Sequence, residues 1–220
     1  MDWLALILTL KLACWTTVLL VPMAIYAGRF LSRATFRGKS LVEAVVMVPL
    51  IMPPTVLGYY LLVVVGTDSV LGGFLADQFG VSLVFSFEGL VFASIIFNLP
   101  FAIQPVQRAF EAIPREIPEA AWCAGLSQLK TFFLVEMPLA WPGVVTAVVL
   151  VFAHTMGEFG IVLMVGGSIP GETKTISISI YDQVQAFDQI GAGIMSATLL
   201  VFSLTAIWLT FTFGNQNRLR

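Results

Sequence analysis

The chain has 220 residues, of which 58% are hydrophobic and only 11% charged, and its formal net charge is −2. An ordinary globular chain is about 45–50% apolar and about 25% charged, so the composition excludes a soluble domain and indicates an integral membrane protein. The absence of a basic block argues against nucleic acid as a partner, and one histidine with two cysteines cannot build a clustered Cys/His metal site.

A membrane-crossing helix needs about 20 mostly apolar residues at 1.5 Å each. Five segments meet that need, at about 12–30, 41–65, 89–110, 138–165 and 191–213. The first begins after Lys11 and contains Pro22. Residues 3–10 read as an interfacial lead-in with Trp3 at headgroup level, because 3–30 as one helix is too long without tilt. A signal peptide is the competing reading of this end, and it fails because the basic residues follow the apolar run. Cys14 in that run and Cys123 in a polar loop are expected to be free thiols, since a disulfide needs Cα atoms within about 7 Å.

Gly38-Lys39-Ser40, between spans one and two, fails as a phosphate loop: the earlier glycine that motif needs is Arg33. The chain therefore carries no ATP site of its own, and no nucleophile–base pair suggests catalysis. Pro53, Pro54 and Thr55 fall inside span two. Prolines remove helical hydrogen bonds, so one reading is a simple kink. The other builds on it: a broken helix at mid-membrane exposes polar backbone to a transport pathway.

The connections at 66–87 and 166–190 carry turn chemistry in Gly72-Gly73, Gly166-Gly167 and Pro170-Gly171. Residues 174–187 suggest a short re-entrant or surface helix. The acids of these loops (Asp68, Asp77, Glu88, Glu172, Asp182 and Asp188) form either a contact for a binding protein or a solvated rim.

Span four holds an intramembrane acid, Glu158, flanked by Gly157 and Gly160, with His154 one helical turn before it. Counted from Pro138 along a straight helix, Glu158 lies roughly 30 Å up, near the outer end. Its expected state is protonated, or paired with a base or a backbone N–H. Three roles stay open: shaping a gate, plain packing, or touching the transported species. Gly143, Gly191 and Gly193 read as close-packing positions between helices.

Orientation follows from Lys and Arg. Arg29, Arg33, Arg37, Lys39, Arg108, Arg115, Lys130, Arg218 and Arg220 belong to one side, leaving Lys11 and Lys174 on the other. This places the N-terminus outside and the C-terminus in the cytoplasm, which requires an odd number of spans.

The cytoplasmic connection at about 111–137 is the most informative stretch. Pro118 suits the first position of a helix, and Glu119 suits the first turn, where negative charge favours the dipole. Ala120, Ala121 and Ala124 are strong helix formers, and Gly125 can end the helix in a left-handed conformation. The exposed face is small and includes Trp122. Such a helix is either a linker lying on the membrane or a stiff handle for a soluble motor.

The pattern Glu119-Ala120-Ala121, three residues, Gly125, nine residues, Val135, one residue, Met137-Pro138 resembles the EAA loop of ABC-importer permeases. Val135 replaces the usual Ile and Met137 the usual Leu. Met52-Pro53-Pro54-Thr55-Val56-Leu57-Gly58-Tyr59-Tyr60 and Gly157-Glu158-Phe159-Gly160 resemble signatures of the molybdate permeases among them. So do Ile169-Pro170-Gly171-Glu172-Thr173, with Ser168 where Asn is usual, and Phe36-Arg37-Gly38-Lys39, with Arg37 where Pro is usual. Sulfate and tungstate permeases share much of this pattern.

The resemblance implies an all-α permease of the type I importer (MetI-like) fold in the inner membrane of a prokaryote. It implies a homodimer with the pathway between the copies. Two ATPase subunits would dock on the inner loops through Pro118, Glu119, Ala120, Ala121, Gly125 and Pro138, and a periplasmic or lipid-anchored oxyanion-binding protein would dock outside. The pathway or gate would involve Pro53, Pro54, Thr55, Gly157, Glu158 and Gly160. No cofactor is expected on this chain, and ATP would be used by the partner subunit. Because a lone carboxylate repels an oxyanion, direct contact is the least favoured role for Glu158. Molybdate is the first cargo, then tungstate or sulfate; a passive channel is the rival from another class.

Overall fold

The computed structural model describes residues 1–215, so Arg218 and Arg220 lie outside the described residues. The helices are α1 (Trp3–Arg33), α2 (Lys39–Ile51), α3 (Pro54–Val65), α4 (Val70–Phe79), α5 (Phe87–Glu111), α6 (Glu116–Cys123) and α7 (Gln128–Thr131). A π-turn (Phe132–Glu136) then leads into α8 (Met137–Met156), followed by α9 (Gly160–Gly166), α10 (Ile176–Gln185) and α11 (Gln189–Asn215).

Span two does not form as one unbroken helix. Among the described residues three helices are long and apolar enough to cross a membrane: α1, α5 and the run Gln128–Met156. The pair α2–α3 makes a fourth if its two halves count as one span. The fifth predicted segment corresponds to α11, whose searched part, Gln189–Thr205, is apolar but shorter than a span.

Three boundaries differ from the sequence expectation, each for a physical reason. First, α1 is one 31-residue helix rather than a lead-in plus a span from 12. The Asp2 side chain caps it by accepting from the Ala5 N–H at 3.0 Å. Lys11 stays within the helix by placing its ammonium 4.2 Å from the centre of the Phe87 ring, a favourable cation–π contact. Second, span two breaks at Met52–Pro53 and bends by 112°, far more than a kink. Neither Pro53 nor Pro54 can donate to the carbonyls a continuous helix would offer. Third, span four starts at Gln128, ten residues earlier than expected, and stops at Met156. The π-turn accounts for the early start. Pro138 has no N–H and its ring crowds the carbonyl four residues back; widening the preceding turn lets the helix run past it. Gly72 and Gly73 do not form a turn but sit inside α4.

The centre of the molecule is α1, α5 and α8, packed on one another. Small residues set the spacing. A Cβ on Gly28 of α1 would stand 2.9 Å from the Gln107 backbone nitrogen, and one on Gly143 of α8 would stand 2.6 Å from the Pro105 carbonyl oxygen. Gly143 is therefore the close-packing position expected, whereas Gly193 has nothing within 4 Å. Toward the ends of α1 and α5 that carry Arg29, Arg33 and Arg108, the buried core is Val21, Val106, Phe110, Ala140 and Val144. Toward the far ends it is Leu12, Leu57, Leu61, Leu90, Ile161 and Val165. Arg29, Arg33, Lys39, Arg108, Arg115 and Lys130 thus gather at one end, called here the basic end.

The short α10 supplies the helix expected within 174–187. It docks on α1: the Ile176 N–H donates to Thr9 Oγ1 at 2.9 Å, and Ser179 Oγ donates to Asp2 Oδ2 at 3.0 Å.

Candidate functional site

Two places in the fold combine unusual backbone with polar side chains. One is where the break in span two meets the break between α8 and α9, and the other is the joint at the basic end.

The first holds most of the residues singled out for a pathway. The break at Met52–Pro53 and the break between α8 and α9 come together: a Cβ on Gly160 would lie 3.1 Å from Pro54 Cβ and 3.3 Å from Thr55 Cγ2. Only a glycine permits that approach without displacing the neighbour. Gly58, one turn on, is tighter still, with its Cβ position 2.7 Å from Met164 Cβ. Pro53, Pro54, Thr55 and Gly157 are exposed on this chain, whereas Glu158 is buried.

Glu158 is satisfied by neutral donors from α5. Ser94 Oγ donates to its Oε2 at 2.5 Å, and Asn98 Nδ2 donates to its Oε1. The same Asn98 amide reaches Thr155 Oγ1 at 3.1 Å and the Ser94 carbonyl at 2.8 Å. Its oxygen accepts from His154 Nδ1 at 3.0 Å. The His154 ring lies between Phe97 and Phe101, with centroids 5.0 and 4.2 Å away. Asn98 is close to the midpoint of α5, so Glu158 stands at mid-depth and not near the outer end. The nearest partners are a hydroxyl and an amide side chain, while the expected base, His154, stands farther off with Nδ1 3.9 Å from Glu158 Oε1. Ser94 and Asn98 escape sequence reading because a serine and an asparagine in a span carry no distinguishing pattern.

The second place is built around α6. The helix begins at Glu116, so Pro118 is its third residue rather than its first, still in the first turn where no intrahelical N–H bond is lost. Glu116 and Glu119 both occupy that turn. Gly125 takes φ +86°, and the end closes as a Schellman motif: Leu126 N donates to the Ala121 carbonyl at 3.1 Å and Gly125 N to the Trp122 carbonyl at 2.9 Å. Pro118 is buried, while Glu119, Ala120 and Trp122 are exposed. Cys123 and Cys14 are free and exposed.

Glu136, which the sequence reading passed over, ties this segment to α1. It closes the π-turn and is 2% exposed. Arg29 Nε meets its Oε2 at 2.6 Å and Arg33 Nη2 meets its Oε1 at 3.4 Å. The Arg29 guanidinium also lies 5.0 Å from the centre of the Phe132 ring. A cleft of about 370 Å³ separates this clasp from α6, with Arg115, Pro118, Glu119 and Trp122 on its other wall. The α6 residues and the break residues are not brought together: the 20 residues of α8 hold them about 30 Å apart along its axis. Among the described residues no group of His, Cys, Asp and Glu could hold a metal.

Comparison with solved structures gives the same architecture. A bacterial ABC transporter involved in the import of the acidic polysaccharide alginate aligns with a TM-score of 0.74 at 16% identity, over 97% of this chain and 77% of that one. The inward-facing MetNI methionine ABC transporter aligns at 0.61 with 19% identity, over 98% and 91%. These likenesses concern the fold. In sequence, the molybdenum transport system permease protein ModB of Azotobacter vinelandii is 43% identical over 212 residues, 96% of this chain and 93% of that protein. ModB of Escherichia coli K12 is 35% identical over 84% of this chain and 80% of its own length. A probable sulfate transport system permease protein of Chlorella vulgaris is 30% identical over 95% and 78%. The pattern of the binding-protein-dependent transport system inner membrane components matches residues 20–218, and with these relatives it shows that the chain belongs to that family of membrane permeases.

Proposed function

We propose that this chain forms the translocation pathway of an ATP-driven molybdate importer. Two copies assemble with the pathway between them, two ATPase subunits bind the basic end through residues 118–125, and an oxyanion-binding protein delivers cargo at the far end. The basic end faces the cytoplasm and α11 completes a five-span topology. Hydrolysis takes place on the ATPase partner.

The observation that carries the reading is the pairing of two features on one rod. An exposed, well-terminated helix, α6, stands at one end of the run Gln128–Met156, and the meeting of two helix breaks stands at the other. A passive channel needs no such handle. At the meeting point α3 begins at mid-depth, where a helix N-terminus favours negative charge, with the Thr55 hydroxyl exposed beside it. Glu158, turned inward onto Ser94 and Asn98, is withdrawn from the path of an anion and fixes the shape of the break. The molybdenum permeases at 35–43% identity support the cargo, and the sulfate permease at 30% supports sulfate as the second reading.

The test is competitive uptake of trace molybdate, tungstate and sulfate by cells with and without the gene, in ATP-replete and ATP-depleted states. ATP-dependent loss of molybdate uptake on deletion is expected. Loss of sulfate uptake alone moves the cargo, and uptake indifferent to ATP overturns the importer reading.

A further inference from the structure

We propose that Glu136, clasped by Arg29 and Arg33, is the positioning residue that carries movement of the α6 segment sideways into α1. The proposal rests on the importer reading. Any displacement of α6 reaches the membrane helices by two routes. One is the covalent run from Gln128 through the π-turn into α8. The other is lateral, and its directional contact is the clasp: a carboxylate 2% exposed, held at 2.6 and 3.4 Å by arginines one turn apart on α1. The neighbouring contact of Phe132 with Phe110 at 6.3 Å is apolar and lets surfaces slide. Charge-assisted hydrogen bonds to a guanidinium fork fix direction as well as distance, so α1 follows the π-turn instead of slipping past it. The π-turn adds to this, since such turns within α-helices gather at functional sites. Because α1 packs along both α5 and α8, moving it moves the whole central layer, whereas α8 alone would move only one wall.

The experiment uses the full complex of permease, ATPase and binding protein reconstituted in lipid vesicles, with ATP hydrolysis and molybdate uptake measured together. Glu136→Gln is expected to leave hydrolysis near its normal rate and to lower uptake per ATP by about tenfold, within the 5- to 150-fold span of ordinary coupling between sites. The triple variant Arg29→Met, Arg33→Met, Glu136→Met removes all charges together. Buried ion groups replaced as a set usually leave folding intact, so this variant is expected to assemble and be equally uncoupled. Arg29→Lys, which keeps a charge on the clasp, is expected to restore part of the coupling. Equal loss of hydrolysis and uptake, or normal uptake per ATP in the triple variant, overturns the proposal. Absence of ATP-dependent uptake of any oxyanion by the unaltered complex instead overturns the importer reading beneath it.

Discussion

The protein buries two glutamates in its helical core and treats them differently. Glu136, at the basic end, is held by two arginines that each keep about a third of their side chain in solvent. Glu158, at mid-depth, is enclosed completely and is held by a serine hydroxyl and an asparagine amide. The contrast follows from depth. Near an aqueous end, long cations can reach a buried carboxylate and still snorkel to water. At mid-depth a cation would need burial of its own, which costs several kcal/mol per ion, so short neutral donors from the neighbouring helix serve. One joint is therefore ionic and placed where α6 meets α1; the other is neutral and sits where the helix breaks.

The sharpest way to break this comparison is to remove a partner from each acid. Arg29→Ala leaves Glu136 with Arg33 alone. Breaking a buried pair costs about 3–5 kcal/mol; partial exposure of Arg29 and the remaining arginine place the expected loss at or below the lower end. Thermal unfolding of the purified protein in detergent measures it, and an unchanged midpoint contradicts the clasp. Asn98→Leu takes the amide away from Glu158, Thr155 and His154 at once. An unsatisfied buried polar group costs about 1–3 kcal/mol, so a smaller destabilisation is expected by the same measurement, accompanied by loss of uptake if the break shapes the pathway. Gly125→Val extends the comparison to α6: a β-branched residue at φ +86° pays roughly 1–2 kcal/mol. That strain is expected to unwind the end of the helix, abolishing ATP-coupled uptake and copurification of the ATPase while membrane insertion stays normal. The smallest effect is expected for Glu158→Gln. Its oxygen still accepts from Asn98, and its amide can donate to Ser94 once that hydroxyl turns. Near-normal uptake follows, and a large loss at normal expression shows that the acid itself is required.

The parts of the site that the sequence revealed are those whose causes are local. Helix α6 was legible because its turn chemistry lies within ten residues: acids in the first turn, small residues after, a left-handed glycine at the end. The family resemblance was legible for the same reason, through contiguous motifs at Pro53-Pro54, Glu119-Ala120-Ala121 and Gly157-Glu158. Glu158 stood out as an acid in an apolar run, but its depth did not, because its level is set by Ser94 and Asn98 on α5, 64 and 60 residues away in the chain. Glu136 stayed hidden: its partners lie 107 and 103 residues away, and it occupies a position the motif leaves free. The shape of span two stayed hidden because hydropathy registers apolar length and is blind to a 112° bend.

The π-turn at Phe132–Glu136 also absorbs a residue without turning it into rotation. A π-turn is in effect one surplus residue within an α-helix, and each residue of plain α-helix advances the chain by about 100°. Because the widened turn takes up the surplus, α7 and α6 keep nearly the bearing that an α-helix one residue shorter would give them. Wound as plain α-helix, the same residues would swing the face bearing Ala120 and Trp122 by about that amount around the axis of α8 while every span stayed in place. The compass bearing of that face is thus held by the width of one turn, and a homologue one residue shorter there, running as plain α-helix, would present the same side to whatever it meets.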